Sequence, residues 1–168
     1  IWIGATSLMP ANQVDGLRRD TLELLRDLDA PIYRWPGGNF VGGYDWRDGI
    51  GPRDRRPPRR NPAGQGVEPN DFGIDEFIAC CRELNTEPLV VVNTGLGSPE
   101  LAAALVQYCN GSAQTPWGRR RATNGRTQPY AVKWWGIGSE MYRDSQLGHV
   151  PLERYQVRHR EFVNAMRA

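Results

Sequence analysis

The run Leu89-Val90-Val91-Val92-Asn93 is the tightest constraint on what this chain can fold into. Four apolar residues in succession leave no polar face for water. A strand built from them is covered on both sides, as strands of a parallel sheet between helices are. The polar residue arrives only where the strand ends. Helix-period sequence stands on either side. Ile74, Phe77, Ile78, Cys81 and Leu84 mark a helix before it, with Asn70 or Asp71 available as a cap and Pro88 beyond its end. After it, Ser98-Pro99-Glu100 supplies a cap, a first-position proline and a first-turn acid, and Asn110-Gly111 supplies a stop.

The alternation continues in both directions. Leu17, Thr21, Leu24, Leu25 and Leu28 share one helical face and predict a helix over 15–28. Ile32–Trp35 then reads as a strand that stops at Pro36-Gly37-Gly38. Between residues 39 and 70 the chain is rich in Gly, Pro and Arg with no sustained period, a long loop of the kind that is either functional or disordered. A polar stretch follows Gly111, then VKWWGIG as a third strand. A closing helix runs from Pro151, with Leu152, Tyr155, Phe162, Val163 and Met166 on one side. Such an order predicts an α/β fold with parallel strands, joined by right-handed crossovers through the helices. Folds of this type place ligands at the carboxyl ends of their strands. Those ends read RWPGGN, VVVNTG and GIGSE, which puts Arg34, Asn39, Asn93 and Glu140 on one face.

Composition narrows the function. With 168 residues, 39% hydrophobic and 24% charged, the chain suits one soluble unit with a real core. No apolar stretch nears the ~18 residues of a spanning helix, and the start IWIGATSLMP lacks the charged and long apolar regions of a leader. A net charge of +2 is too small to argue for a nucleic-acid or membrane partner, and RDRRPPRR, broken by Asp54 and prolines, reads as a solvated loop. Three cysteines without CxxC spacing point to a reducing, cytoplasmic setting. His149 and His159 have no ligand cluster around them, and GxGxxG and P-loop patterns are absent, so neither metal nor cofactor is expected.

Among chemistry-bearing residues, Glu140 follows an apolar strand with small residues at its end. Its carboxyl is expected in a pocket walled by Trp134 or Trp135, where poor solvation would raise its pKa and suit it to proton donation. A surface or helix-capping glutamate is the plain alternative. Arg34 and Asn39 flank the glycine turn, placed either to bind a carboxylate and sugar hydroxyls or to form a salt bridge and a turn. Phe40, Tyr44 and Trp46 either stack on a sugar or pack the loop. Asn93 is either a site residue or a turn residue ending its strand.

Several blocks in one order carry a resemblance: SLMPANQVDGLRRDTLELL, YRWPGGNFVGGYDWRDGIGPRDRRP, NDFGIDEF, EPLVVVNTGLG, QYCNG, and VKWWGIGSEMY followed by QLGH. Through them the chain resembles the α-L-arabinofuranosidases of glycoside hydrolase family 51. The resemblance implies a (β/α)8 TIM barrel of which residues 1–168 form the N-terminal part. It also implies retaining, exo-acting removal of arabinofuranosyl residues from arabinoxylan- or arabinan-type glycans, by a homo-oligomer when full length. By the family pattern Glu140 is the general acid/base, Arg34, Asn39, Asn93 and Ser139 shape the sugar site, and the nucleophile is a second glutamate after a later strand. Asp71, Asp75 and Glu76 do not match the nucleophile motif. A barrel of ~250 residues exceeds this chain, which is therefore expected to be a piece of a longer protein. Two departures stand out. Ser139 replaces the usual Asn beside the acid/base, and Gly64 stands where relatives carry a loop tryptophan. A non-catalytic sugar-binding protein, an unrelated α/β binding domain and a hydrolase of other glycans such as β-1,4-glucans are the competing readings.

Overall fold

The computed structural model describes residues 8–168, so the opening IWIGATS, on which the leader reading rests, lies outside the described residues. In chain order the elements are α1 (Arg19–Asp27), β1 (Ile32–Trp35), β2 (Arg59–Arg60), β3 (Val67–Glu68), α2 (Ile74–Glu83), β4 (Glu87–Val92), α3 (Pro99–Asn110), α4 (Pro116–Thr123), β5 (Trp134–Ile137) and α5 (Leu152–Arg167). Three short 3-10 turns, Gly38–Gly43, Trp46–Gly49 and Arg53–Arg55, lie between β1 and β2.

The expected parallel arrangement is present. The main sheet has the order β1-β4-β5, with both pairings parallel and the Leu-Val-Val-Val strand in the middle. Register places Arg34, Leu89 and Trp134 in one row and Val91 beside Gly136 in the next but one. Side chains alternate between faces along a strand. Val90 and Val92, with Tyr33, Trp35, Trp135 and Ile137 against them, therefore join the core beneath the helices, where Phe77, Leu105, Tyr108 and Phe162 also lie. Ile32, Arg34, Leu89, Val91 and Trp134 belong to the other face, and there Trp134 is 53% exposed.

Local sequence explains most boundaries. Ser98 Oγ accepts the Leu101 N–H and Pro99 opens α3, as the cap signal requires. In four places the structure differs from expectation. Helix α1 starts at Arg19 because Asp15 and Gly16 both take positive φ and Val14 bridges Leu17 in a tight turn. Its buried residue is Leu22, while Leu24 and Leu28 are exposed, so the leucine stripe is not the core face. Helix α2 is capped at Gly73 rather than Asn70 or Asp71, because the Glu76 carboxylate accepts the Gly73 N–H at 2.8 Å. The polar stretch after Gly111 contains α4, opened by Thr115-Pro116 with Thr115 Oγ1 accepting from Gly118 N. In α5 only Phe162 of the expected apolar face is buried, and Leu152 is exposed.

Candidate active site

Three loops meet at the carboxyl ends of β1, β4 and β5, and they interlock through their backbones. Leu96 N donates to Gly42 O and Gly138 N donates to Val92 O. Gly138 has φ +71°, and a Cβ there would collide with Thr94 Oγ1, so only glycine permits this closure of the β5 loop on the β4 loop. Arg158 of α5 adds a guanidinium bond to Gly95 O at 3.0 Å.

Glu140 sits two residues past Gly138, in the left-handed region at φ 47°, an uncommon conformation for a residue with a side chain. Its side chain is 43% exposed; Oε2 accepts from Gln146 Nε2 at 3.1 Å and lies 3.6 Å from Arg143 Nε. The tryptophan-walled dry pocket expected around it is therefore not what surrounds it. Trp135 faces the helices, with its indole N–H on Val132 O, and Trp134 starts the strand, at the end remote from Glu140. The cavity beside Glu140, about 380 Å³, is lined instead by Ile137, Met141, Tyr142, Val150 and Tyr155.

The other sequence-predicted residues divide in two. Arg34 and Ser139 make no side-chain hydrogen bond among the described residues, and the Arg34 guanidinium lies over the turn, where a Cβ on Gly37 would meet it at 3.2 Å. Asn39 and Asn93 use their carboxamides internally. Asn39 Nδ2 donates to Ser145 O at 3.2 Å and its Oδ1 accepts from Leu147 N at 2.7 Å, so Asn39 clasps the loop that carries Glu140. Asn93 Oδ1 gathers the N–H groups of Gly95, Leu96 and Gly97, while Nδ2 donates to Tyr44 O. The turn reading of Asn93 is thus the one its bonds describe. Arg34 approaches the shared strand ends through the Gly37 turn, Asn39 reaches the Glu140 loop directly, and Asn93 holds its own loop. Gln146 went unsingled in the sequence, although it opens the QLGH block.

The long loop packs itself. Phe40 stacks on Tyr44 at 4.9 Å, Trp35 meets Tyr44 edge-on, and Trp46 packs on Tyr108 and Trp117 with its indole N–H on Leu101 O. The expectation of a solvated arginine run is corrected by Arg56, which is 8% exposed. Its guanidinium makes a two-pronged contact with Glu76 at 2.8 and 3.0 Å and also donates to Gly51 O and Asn70 O. A buried guanidinium needs such complete satisfaction. Burial alone would push the Glu76 carboxyl up, but the bonds and charge of Arg56 outweigh it and hold the group below its ordinary range. Its neighbour Asp75 goes the other way. Burial raises its pKa, against the opposing hydrogen bonds from Tyr130 Oη at 2.6 Å and Tyr108 Oη at 2.9 Å.

Comparison with known proteins shows the family of the chain. Residues 24–168 match the profile of the alpha-L-arabinofuranosidase 1 domain. Over 158 residues the chain is 42% identical to the probable alpha-L-arabinofuranosidase C of Aspergillus flavus, covering 94% of this chain and 31% of that protein. It is 40% identical over 146 residues to the intracellular exo-alpha-(1->5)-L-arabinofuranosidase 1 of Bacillus subtilis, covering 87% and 29% respectively. The alpha-L-arabinofuranosidase of Thermotoga maritima, solved as an arabinose complex, superposes with a TM-score of 0.92 at 42% identity over 96% of this chain and 34% of its own. The GH51 alpha-L-arabinofuranosidase of Thermotoga petrophila RKU-1 superposes at 0.90 and 44% identity, over 94% and 33%. The chain thus spans about a third of the length of the relatives it matches, and its strand–helix alternation is part of their (β/α)8 barrel fold.

Proposed function

Because the chain belongs to the alpha-L-arabinofuranosidase 1 domain family, we propose that the protein it contributes to is a retaining, exo-acting α-L-arabinofuranosidase with Glu140 as its general acid/base. The observation that carries this reading is the placement of Glu140. It stands just past the carboxyl end of β5, at a positive φ, with one carboxylate oxygen held by Gln146. A carboxyl so presented protonates the departing glycosidic oxygen as the C–O bond breaks, then takes a proton from the water that releases the sugar. Retention needs a second carboxyl about 5 Å away as nucleophile, supplied from outside residues 1–168, which make up the N-terminal part of the catalytic barrel in this reading. Arg34 and Ser139, with side chains uncommitted among the described residues, are the proposed sugar contacts. Asn39 and Asn93 serve by shaping the loops.

The substrate class is terminal arabinofuranosyl residues of arabinan- or arabinoxylan-type glycans, in keeping with the name of the Bacillus subtilis relative, an exo-alpha-(1->5)-L-arabinofuranosidase. A cytoplasmic location agrees with that relative's intracellular name and with three free cysteines. Among the described residues no helix is long and apolar enough to cross a membrane. Homo-oligomeric assembly rests on the family resemblance alone. A second reading, a sugar-binding protein without catalysis, is favoured by Ser139, whose hydroxyl lacks the reach of an amide. The deciding experiment is hydrolysis of an unactivated aryl α-L-arabinofuranoside by the full-length protein. Glu140→Ala is expected to lower kcat/KM by about 10²- to 10⁴-fold. An unchanged rate rejects the acid/base role, and binding of arabino-oligosaccharides without turnover by the unaltered protein supports the second reading.

A further inference from the structure

Two side chains reach the Glu140 carboxylate among the described residues, and they differ in how they are held. Arg143 is 58% exposed and lies 3.6 Å away, a screened ion pair of little orienting power. Gln146 is half-buried, and its amide nitrogen is 3.1 Å from Oε2.

The backbone around Gln146 is fixed at successive points. Arg143 N donates to Glu140 O, Gln146 N to Arg143 O, and His149 N to Gln146 O, which makes a chain of three turns. Val150 N closes that chain on Met141 O at 3.1 Å. On either side of Gln146, Asn39 grips the Ser145 carbonyl and the Leu147 N–H. The Leu147 side chain lies so close to Gly42 that a Cβ there would stand 2.9 Å from the Leu147 Cβ. A glutamine in an open loop loses rotamer entropy when it holds one bond. Here the loop's own bonds already fix the backbone, so only the side chain remains to be ordered.

We propose that Gln146 is a positioning residue for the general acid/base, orienting the Glu140 carboxyl, with Asn39 holding Gln146 in place from the β1 loop. The amide N–H occupies Oε2 as an acceptor in either protonation state. The proton therefore resides on Oε1. In the first step that proton passes to the glycosidic oxygen as the C–O bond breaks, its electron pair goes to the leaving group, and the nucleophile carboxylate from outside residues 1–168 bonds to the anomeric carbon. In the second step a water oxygen bonds to the anomeric carbon, the nucleophile carboxylate leaves with its bonding pair, and the water proton returns to the same oxygen of Glu140. Two departures from an ideal acid are thereby avoided: rotation of the carboxyl, and protonation of the oxygen facing away from the substrate.

This inference rests on Glu140 being the acid/base, and the test separates the two. Full-length protein would be assayed on a pair of aryl α-L-arabinofuranosides, phenyl and 2,4-dinitrophenyl. The phenolate needs protonation to leave and the dinitrophenolate does not. In Gln146→Ala, kcat/KM on the phenyl substrate is expected to fall roughly 10-fold, while the dinitrophenyl value stays within about twofold, since only the former depends on acid assistance. Gln146→Glu places a second carboxyl against Glu140 and is expected to move the alkaline limb of kcat/KM on the phenyl substrate up by about one pH unit. Equal losses on both substrates show a merely structural role and overturn the proposal, as does an unchanged phenyl rate or an unmoved limb. If Glu140→Ala itself leaves the phenyl rate intact, the acid/base reading fails and this inference falls with it.

Discussion

Asp75 and Glu76 at the first turn of α2 and Glu140 after β5 are carboxylates in opposite circumstances. In the α2 pair Glu76 is buried and Asp75 half-buried, and both are bonded: two tyrosine hydroxyls on Asp75, and Arg56, Arg53 and the Gly73 N–H on Glu76. Glu140 is part exposed, touched by one amide and one distant guanidinium. Displaced pKa values mark functional sites often enough to be a guide, but structural ion-pair networks displace them too. In this molecule the displaced pair holds a loop against a helix, and the residue proposed for chemistry is the one left open. Position in the fold separates the two roles.

The difference can be broken by exchanging readouts. In the full-length protein, Glu140→Ala is expected to abolish most turnover, as set out above, while unfolding free energy from urea titration changes by no more than about 0.5 kcal/mol, as for an exposed surface group. Glu76→Ala should do the reverse to stability. It strands the Arg56 guanidinium in the interior, so urea denaturation should show a loss of about 3–5 kcal/mol. A variant as stable as the parent would show that the Arg56–Glu76 pair does not hold the loop.

The neighbouring carboxylates sharpen the comparison further through pH. Glu76 has a lowered folded pKa, so its contribution is complete above the unfolded carboxyl's pKa and is lost as pH falls through the folded value. Asp75 has a raised folded pKa. The unfolded chain ionises first, so stability declines as pH climbs from the unfolded value to the folded one. Urea midpoints taken between about pH 3 and 7 should therefore lose their acid-side fall in Glu76→Gln and their rise-of-pH decline in Asp75→Asn. Identical pH profiles for the two variants would contradict the opposite assignments. The smallest effect is expected at Arg143→Gln, which removes an exposed contact at 3.6 Å and should change stability by under about 0.5 kcal/mol.

Much of the fold was legible because local rules sufficed. Strand β1 ends where Pro36-Gly37-Gly38 forbids pairing, β4 is an unbroken apolar run, and α3 carries its own cap and proline. Helix α4 carried the same signal at Thr115-Pro116, yet its body PWGRRRAT has no apolar stripe. It is held by Arg121, fully buried, whose guanidinium donates to the carbonyls of Tyr108, Gly111, Arg126 and Thr127. Arginine is the last residue a hydropathy pattern would put inside. Arg56 escaped notice for the same reason, since a buried arginine and a solvated one look alike within RDRRPPRR. The leucines of α1 misled in the opposite sense, for periodicity marks a face without saying what covers it.

The site divides along the same line. Sequence by itself determined that Arg34, Asn39, Asn93 and Glu140 fall at the ends of parallel strands, because strand polarity and the βα alternation are local properties read along one chain. Only the tertiary structure decided which of these side chains remain available. The carboxamide of Asn39 closes on Ser145 and Leu147, more than a hundred residues away, and Gln146 reaches Glu140 from within a loop with no regular structure. Hydrogen bonds of that kind depend on distances between segments that meet only after folding, so no spacing along the chain encodes them.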